Sequence, residues 1–83
     1  MATESHKSDD LHRLADAAAR AGVTVNQLRY YLYAGVVRAT RRSPAGQRLF
    51  DRRAIRKVKM VALLNRSGYT LRDIREIFVG SDE

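Results

Sequence analysis

The stretch from Gly22 to Phe50, GVTVNQLRYYLYAGVVRATRRSPAGQRLF, decides how the chain is read. Gly22 can take the positive φ that ends a preceding helix at little cost. Thr24 stands where a hydroxyl caps the next helix by accepting from its early N–H groups. Val25, Leu28 and Leu32 then recur at spacings of three and four with Tyr31 beside them, which predicts a helix over 25–34 with that side turned inward and Gly35 as its stop. Asn26, Tyr30 and Tyr33 fall on the other side, flanked by Gln27 and Arg29. Beyond Gly35 the pattern changes. Val36 to Thr40 and Gln47 to Phe50 predict two short strands around a polar tip, Arg41 to Gly46, in which Pro44 and Gly46 shape the turn. That hairpin is a wing.

Working outward, Leu11 to Ala21 is rich in alanine and predicts a helix whose Leu14, Ala17, Ala18 and Ala21 form one narrow stripe, small enough for a second helix to approach closely. Two helices joined by so short a turn read as a helix-turn-helix. On the other side of the wing, Asp51 is placed to cap a third helix running to about Ser67 and stopped by Gly68. Its Ala54, Ile55, Val58, Val61 and Ala62 share one face. Met60, Leu63 and Leu64 lie off that face, so the later turns call for cover from another helix or from a segment not in this chain. Thr70 stands three residues before Asp73, close to a capping box, and opens a fourth helix with the stripe Leu71, Ile74, Ile77 and Phe78, ended by Gly80. The fold class is therefore mainly α: a winged helix-turn-helix with four helices and a two-stranded β wing. Residues 1–10, polar and without apolar periodicity, read as a disordered arm, 11–80 as one domain and 81–83 as a tail.

Composition narrows the function. Eighty-three residues make one small domain with a modest core, and the absence of cysteine removes disulfides and thiolate metal sites. No apolar run reaches membrane-spanning length and the N-terminus lacks a signal-peptide pattern, so the reading is a soluble, cytoplasmic protein. His6 and His12 stand in no arrangement of Cys, Asp or Glu that would build a metal or general-base site. The glycines fall at element ends and not in a phosphate-cradling loop, so neither enzyme, metal nor cofactor is expected.

Charge points to a polyanion. The formal net charge is +7, and Arg29 to Arg66 holds eleven Lys or Arg residues against one acid, Asp51. Early residues of a recognition helix reach base edges in the major groove. Asn26 and Gln27 carry amides able to pair bidentately with adenine, and Arg29 can reach guanine or phosphate. The wing arginines suit phosphate, since a guanidinium meets two phosphate oxygens at once. Singly each of these is ordinary surface; together, after a helix-turn-helix and before a basic hairpin, they form a reading surface.

Leu14-Ala15-Asp16, Gly22-Val23-Thr24, Leu28-Arg29-Tyr30-Tyr31, Gly35-Val36-Val37, Gly46-Gln47-Arg48-Leu49-Phe50 and Asn65 to Ile74 follow one another in an order that resembles the DNA-binding domain of the MerR family of transcriptional regulators, over about residues 12 to 79. The resemblance implies sequence-specific binding of double-stranded operator DNA, with helix 25–34 in the major groove and wing 38–50 on the phosphate backbone. It also implies a homodimer made through a segment that this chain lacks, and RNA polymerase as a further partner. The DNA-binding set is then Thr24, Asn26, Gln27, Arg29, Tyr30, Tyr33, Arg41, Arg42, Arg48 and Arg52. Arg29 and Tyr30 take the place of the family's backbone-contacting pair and Arg48 that of its wing arginine. Either Arg41 or Arg42 opens the wing.

The chain departs from the family at Gln47 and Phe50, where tyrosines are usual, at Leu32, where an acid is common, and at Arg38 and Ala39, where a proline is expected nearby. It ends four residues after Val79, without a long dimerising helix or effector domain, which favours a domain excised from a larger regulator over a complete short one. The alternative function is a basic protein-interaction module of the same fold that holds an acidic protein. A DNA reader needs the identity of Asn26, Gln27 and Arg29, whereas such a module needs mainly their neighbours' charge.

Overall fold

Four helices and a small antiparallel sheet make up the computed structural model of the protein, which describes residues 10–81 and side chains as far as Phe78. In chain order they are β1 (His12–Arg13), α1 (Leu14–Ala21), α2 (Val25–Ala34), β2 (Arg41–Arg42), β3 (Arg48–Phe50), α3 (Arg52–Arg66) and α4 (Leu71–Ser81). The arm expected over 1–10 and the tail over 81–83 lie outside the described residues, apart from Asp10 and Ser81. Ser81 closes α4, so the helix passes through Gly80 and does not stop there.

The helix-turn-helix is closed by its own backbone. Gly22 sits at φ 78°, its N–H donates to Ala19 O at 3.1 Å and that of Val23 to Ala18 O at 3.0 Å, which satisfies carbonyls that α1 would otherwise leave unpaired. Thr24 then opens α2 in a reciprocal capping box: its hydroxyl accepts from Gln27 N–H at 3.0 Å, while its own N–H donates to Gln27 Oε1 at 3.2 Å. The boundaries of α2 are those that the sequence predicts.

The core forms where the small face of α1 meets larger side chains. Ala17, Ala18 and Ala21 are buried against Leu28 and Tyr31 of α2, Phe50 of β3 and Val58 and Val61 of α3, and Ile74 anchors α4. Val25 and Leu32 pack at its edge, half-buried. Lys57 lays its ammonium 4.8 Å from the centre of the Phe78 ring and so clips α4 to α3. Asp51 caps α3, accepting from Ala54 N–H at 2.9 Å, and Thr70 and Asp73 exchange the two bonds of the box that opens α4, at 3.1 and 3.3 Å. The cover expected for the later turns of α3 reaches Leu64 only. Met60 and Leu63 remain 48% and 58% exposed.

Two expectations are corrected. The sheet has three strands, in the order β1-β3-β2: His12 pairs with Phe50 and Arg13 with Leu49, so the first helix begins at Leu14 and not at Leu11. The wing strands are also displaced. Arg41 pairs with Leu49 and Arg42 with Arg48, while Val36 and Val37, expected in the first strand, are buried in the core just after Gly35. Their β-branched side chains serve packing and not a ladder.

Candidate nucleic-acid interface

The first turns of α2 and the wing stand across a groove. The wing reaches it through a tight tip. Ser43 N–H donates to Gln47 O and Gly46 N–H to Ser43 O, both at 2.8 Å, and the Ser43 hydroxyl accepts from Gln47 N–H at 3.1 Å. Its base is tied to the body by Asp51 N–H, which donates to the Thr40 hydroxyl at 2.9 Å. Phe50, fully buried, plugs the inner end of β3 into the core.

The groove has a volume of about 420 Å³, and Arg13, Arg29, Arg42 and Arg48 line it together with Leu14 and Val25. Four arginines therefore line one concavity whose lining includes no acid, and Arg42 and Arg48 border a further hollow on the wing as well. Arg42 and Arg48 are also directly opposite each other in the ladder. Like charges across an antiparallel pair are destabilising, and no ion pair relieves either among the described residues. Arg42 donates instead to Gly46 O at 3.0 Å, which aims its guanidinium along the tip. A hairpin so built holds positive charge in excess, and an anion in the groove would neutralise it.

The ten residues expected at the interface divide among five positions. Arg29, Arg42 and Arg48 line the groove. Asn26, Tyr30 and Tyr33 are exposed on α2, Tyr30 at 60% and Tyr33 at 92%, which is a large aromatic surface for a side chain to leave in solvent. Thr24 and Gln27 are engaged with each other in the cap, so Gln27 Oε1 already holds one donor and the amide is oriented by the capping box. Arg41 lines an adjoining hollow with Leu32, Arg38 and, again, Arg42 and Arg48, and Arg52 lies in a separate groove with Arg20, Arg56 and Lys59.

Arg13 was missed. Its position reads as the first turn of a helix, and only the pairing of β1 with β3 turns it to the wing. No local signal carries that pairing, since it joins residues 12–13 to 49–50.

Beside the groove, Asp16 ties α1 to β1. Arg20 Nε donates to its carboxylate at 3.1 Å, and His12 Nδ1 lies 2.7 Å from the same oxygen. The Arg20 guanidinium first, and His12 second, hold its carboxyl below the usual carboxylate range. Burial pushes the Tyr31 phenol up. No described helix is long and apolar enough to cross a membrane.

Comparison with known proteins agrees with this arrangement. Residues 12–80 match the MerR HTH family regulatory proteins. Among curated relatives, nodulation protein NolA of Bradyrhizobium elkanii is 32% identical over 69 residues, 83% of this chain and 32% of NolA. NolA of Bradyrhizobium sp. strain NC92 is 34% identical over 68 residues, 82% of this chain and 29% of its own length. The chain thus spans about three-tenths of the relatives that it matches. A MerR family transcriptional regulator from Bacillus cereus shares the fold with a TM-score of 0.75 at 22% identity, over 83% of this chain and 52% of that one. HiNmlR, a MerR family regulator lacking the sensor domain and bound to promoter DNA, superposes with a TM-score of 0.73 at 25% identity, over 81% and 53% of the two chains.

Proposed function

Because the chain belongs to the MerR family of helix-turn-helix regulatory proteins, we propose that it acts in the cytoplasm as a transcriptional regulator that binds double-stranded DNA in a sequence-specific manner. The lining of one acid-free groove by Arg13, Arg29, Arg42 and Arg48 carries the reading. In it, α2 enters the major groove, Asn26 reads a base edge, Arg29 meets a base or a phosphate, and Tyr30 and Tyr33 pack against the sugar-phosphate walls. Arg42 and Arg48 grip the flanking backbone with Arg13 beside them, and Arg41 extends the contact into the adjoining hollow. Thr24 and Gln27 contribute by fixing the first turn of the helix that carries the readers. The structural likeness to a family member bound to promoter DNA supports the same docking.

One module of this size makes few base contacts, so two copies on an inverted repeat supply the affinity, and RNA polymerase is the machinery on which such a complex acts. Selection of bound sequences from a random pool of duplexes at near-physiological salt tests the reading. Recovery of a shared half-site, paired as an inverted repeat, is the expected result. Binding that is salt-sensitive yet indifferent to sequence contradicts it and favours a basic module that holds an acidic protein.

A further inference from the structure

A second basic groove, of about 430 Å³, lies between α1 and the start of α3, and it shares no lining residue with the first. Neighbouring residues of β1 divide between the two: Arg13 turns to the wing and His12 to the second groove, as alternation along a strand requires. Arg52, Arg56 and Lys59 follow one another on α3 at spacings of four and three, so their charges form one ridge, about 6 Å and then about 4.5 Å apart along the axis. Arg20 faces them from α1, held in place by its bond to Asp16. Among the described residues no carboxylate pairs with the three cations of α3.

The geometry points to this groove as a docking site for an acidic helix of a protein partner, with carboxylates at matching spacings of four and three residues. The inference rests on the DNA reading above, which leaves this surface unused. A duplex held by α2 and the wing occupies the side of β1 to which Arg13 turns, and would have to pass round the strand to reach Arg56 and Lys59. Ile55 beneath the cations is already buried in the core, so the choice of occupant rests on this separation and on the helical spacing of the cations. Asp10 also lines the groove, 3.8 Å from His12 Nε2, and opposes a carboxylate and a phosphate alike.

The test uses the 83-residue chain and two fluorescent probes: an alanine-based helical peptide with glutamates at those spacings, and a duplex of random sequence. Wild type binds both. Arg56→Gln with Lys59→Gln should weaken the peptide roughly tenfold, the effect of two ion pairs of modest strength, while the salt slope for the duplex stays the same. Lys59→Gln alone should give a partial loss. Arg48→Ala should do the reverse, lowering the duplex slope and leaving the peptide unchanged. No peptide binding, peptide binding that survives the double variant, or peptide loss in Arg48→Ala overturns the proposal. So does a fall in the duplex slope with the double variant, which would mean that nucleic acid fills this groove. An unchanged duplex slope in Arg48→Ala overturns the wing's role instead and leaves the peptide result standing.

Discussion

The helix-turn-helix and the wing face each other across the same groove but are held by different kinds of interaction. Between α1 and α2 the bonds are local: Gly22 and Val23 close one helix, and Thr24 and Gln27 open the next, all within a few residues of sequence. The wing also closes its own tip locally, between Arg42, Ser43, Gly46 and Gln47, but its base is held at long range. Its strands are two and three residues long, its rung nearest the tip sets Arg42 against Arg48, and it is held by Phe50 in the core, by β1 across the sheet and by Thr40 under the cap of α3. The difference assigns the two parts separate tasks. Under the proposed function, the locally closed element carries the base-reading groups, and the hairpin with excess charge, pinned at its base, carries the cations that meet a backbone.

The comparison is broken most severely at the pin. Phe50→Ala removes the largest wing side chain in the core and should cost about 3–5 kcal/mol. That is a large part of the roughly 5–15 kcal/mol available to a small domain. Thermal or denaturant unfolding should show the whole molecule weakened. A loss confined to the wing would mean that β3 is decoration on an independent helical body. Next comes the reading side. Asn26→Ala should cost about 1–3 kcal/mol on the selected site and much less on unrelated duplexes, as measured by titration at fixed salt. Equal losses on every sequence would remove Asn26 from readout and assign α2 the same task as the wing.

What the sequence made legible follows the same division. The bounds of α2, its cap and the buried stripe of α1 could be read because glycine, threonine and helical periodicity act over short range. The register of the wing could not. Val36 and Val37 have the residue types of a strand, but Gly35 turns the chain so that both enter the core, and the ladder forms further on. The third strand was hidden for a similar reason, since His12 and Arg13 are extended only through Leu49 and Phe50. With β1 unforeseen, Arg13 is absent from the expected set although it lines the groove, and Arg52, expected beside the wing, lines the second groove, because the sequence shows where charge is dense but not to which side of a helix it turns.

Two smaller effects sharpen the account. Thr24→Ala removes the hydroxyl of the capping box and frees Gln27, and should lower stability by about 1 kcal/mol while binding to the selected site weakens through fraying of the first turn. Unchanged stability would show that tertiary packing, and not the cap, sets the start of α2. The acid side of the stability profile gives the smallest effect. The carboxyl of Asp16 titrates below its unfolded value, so its bond to Arg20 contributes fully above the ordinary carboxylate range and is lost as pH falls through the lowered folded value. Asp16→Asn should therefore be less stable than wild type at neutral pH and converge with it in acid. A constant difference at every pH would show that the charge is not what matters there.

The most direct test of the central claim, that α2 and the wing form one polyanion-binding groove, is the salt dependence of duplex affinity for wild type and Arg48→Ala. The account predicts steep, linear decline of log K with log salt for wild type, and a slope smaller by about one for the variant on all duplexes alike. Equal slopes for the two proteins would contradict it, because Arg48 would then neutralise no phosphate.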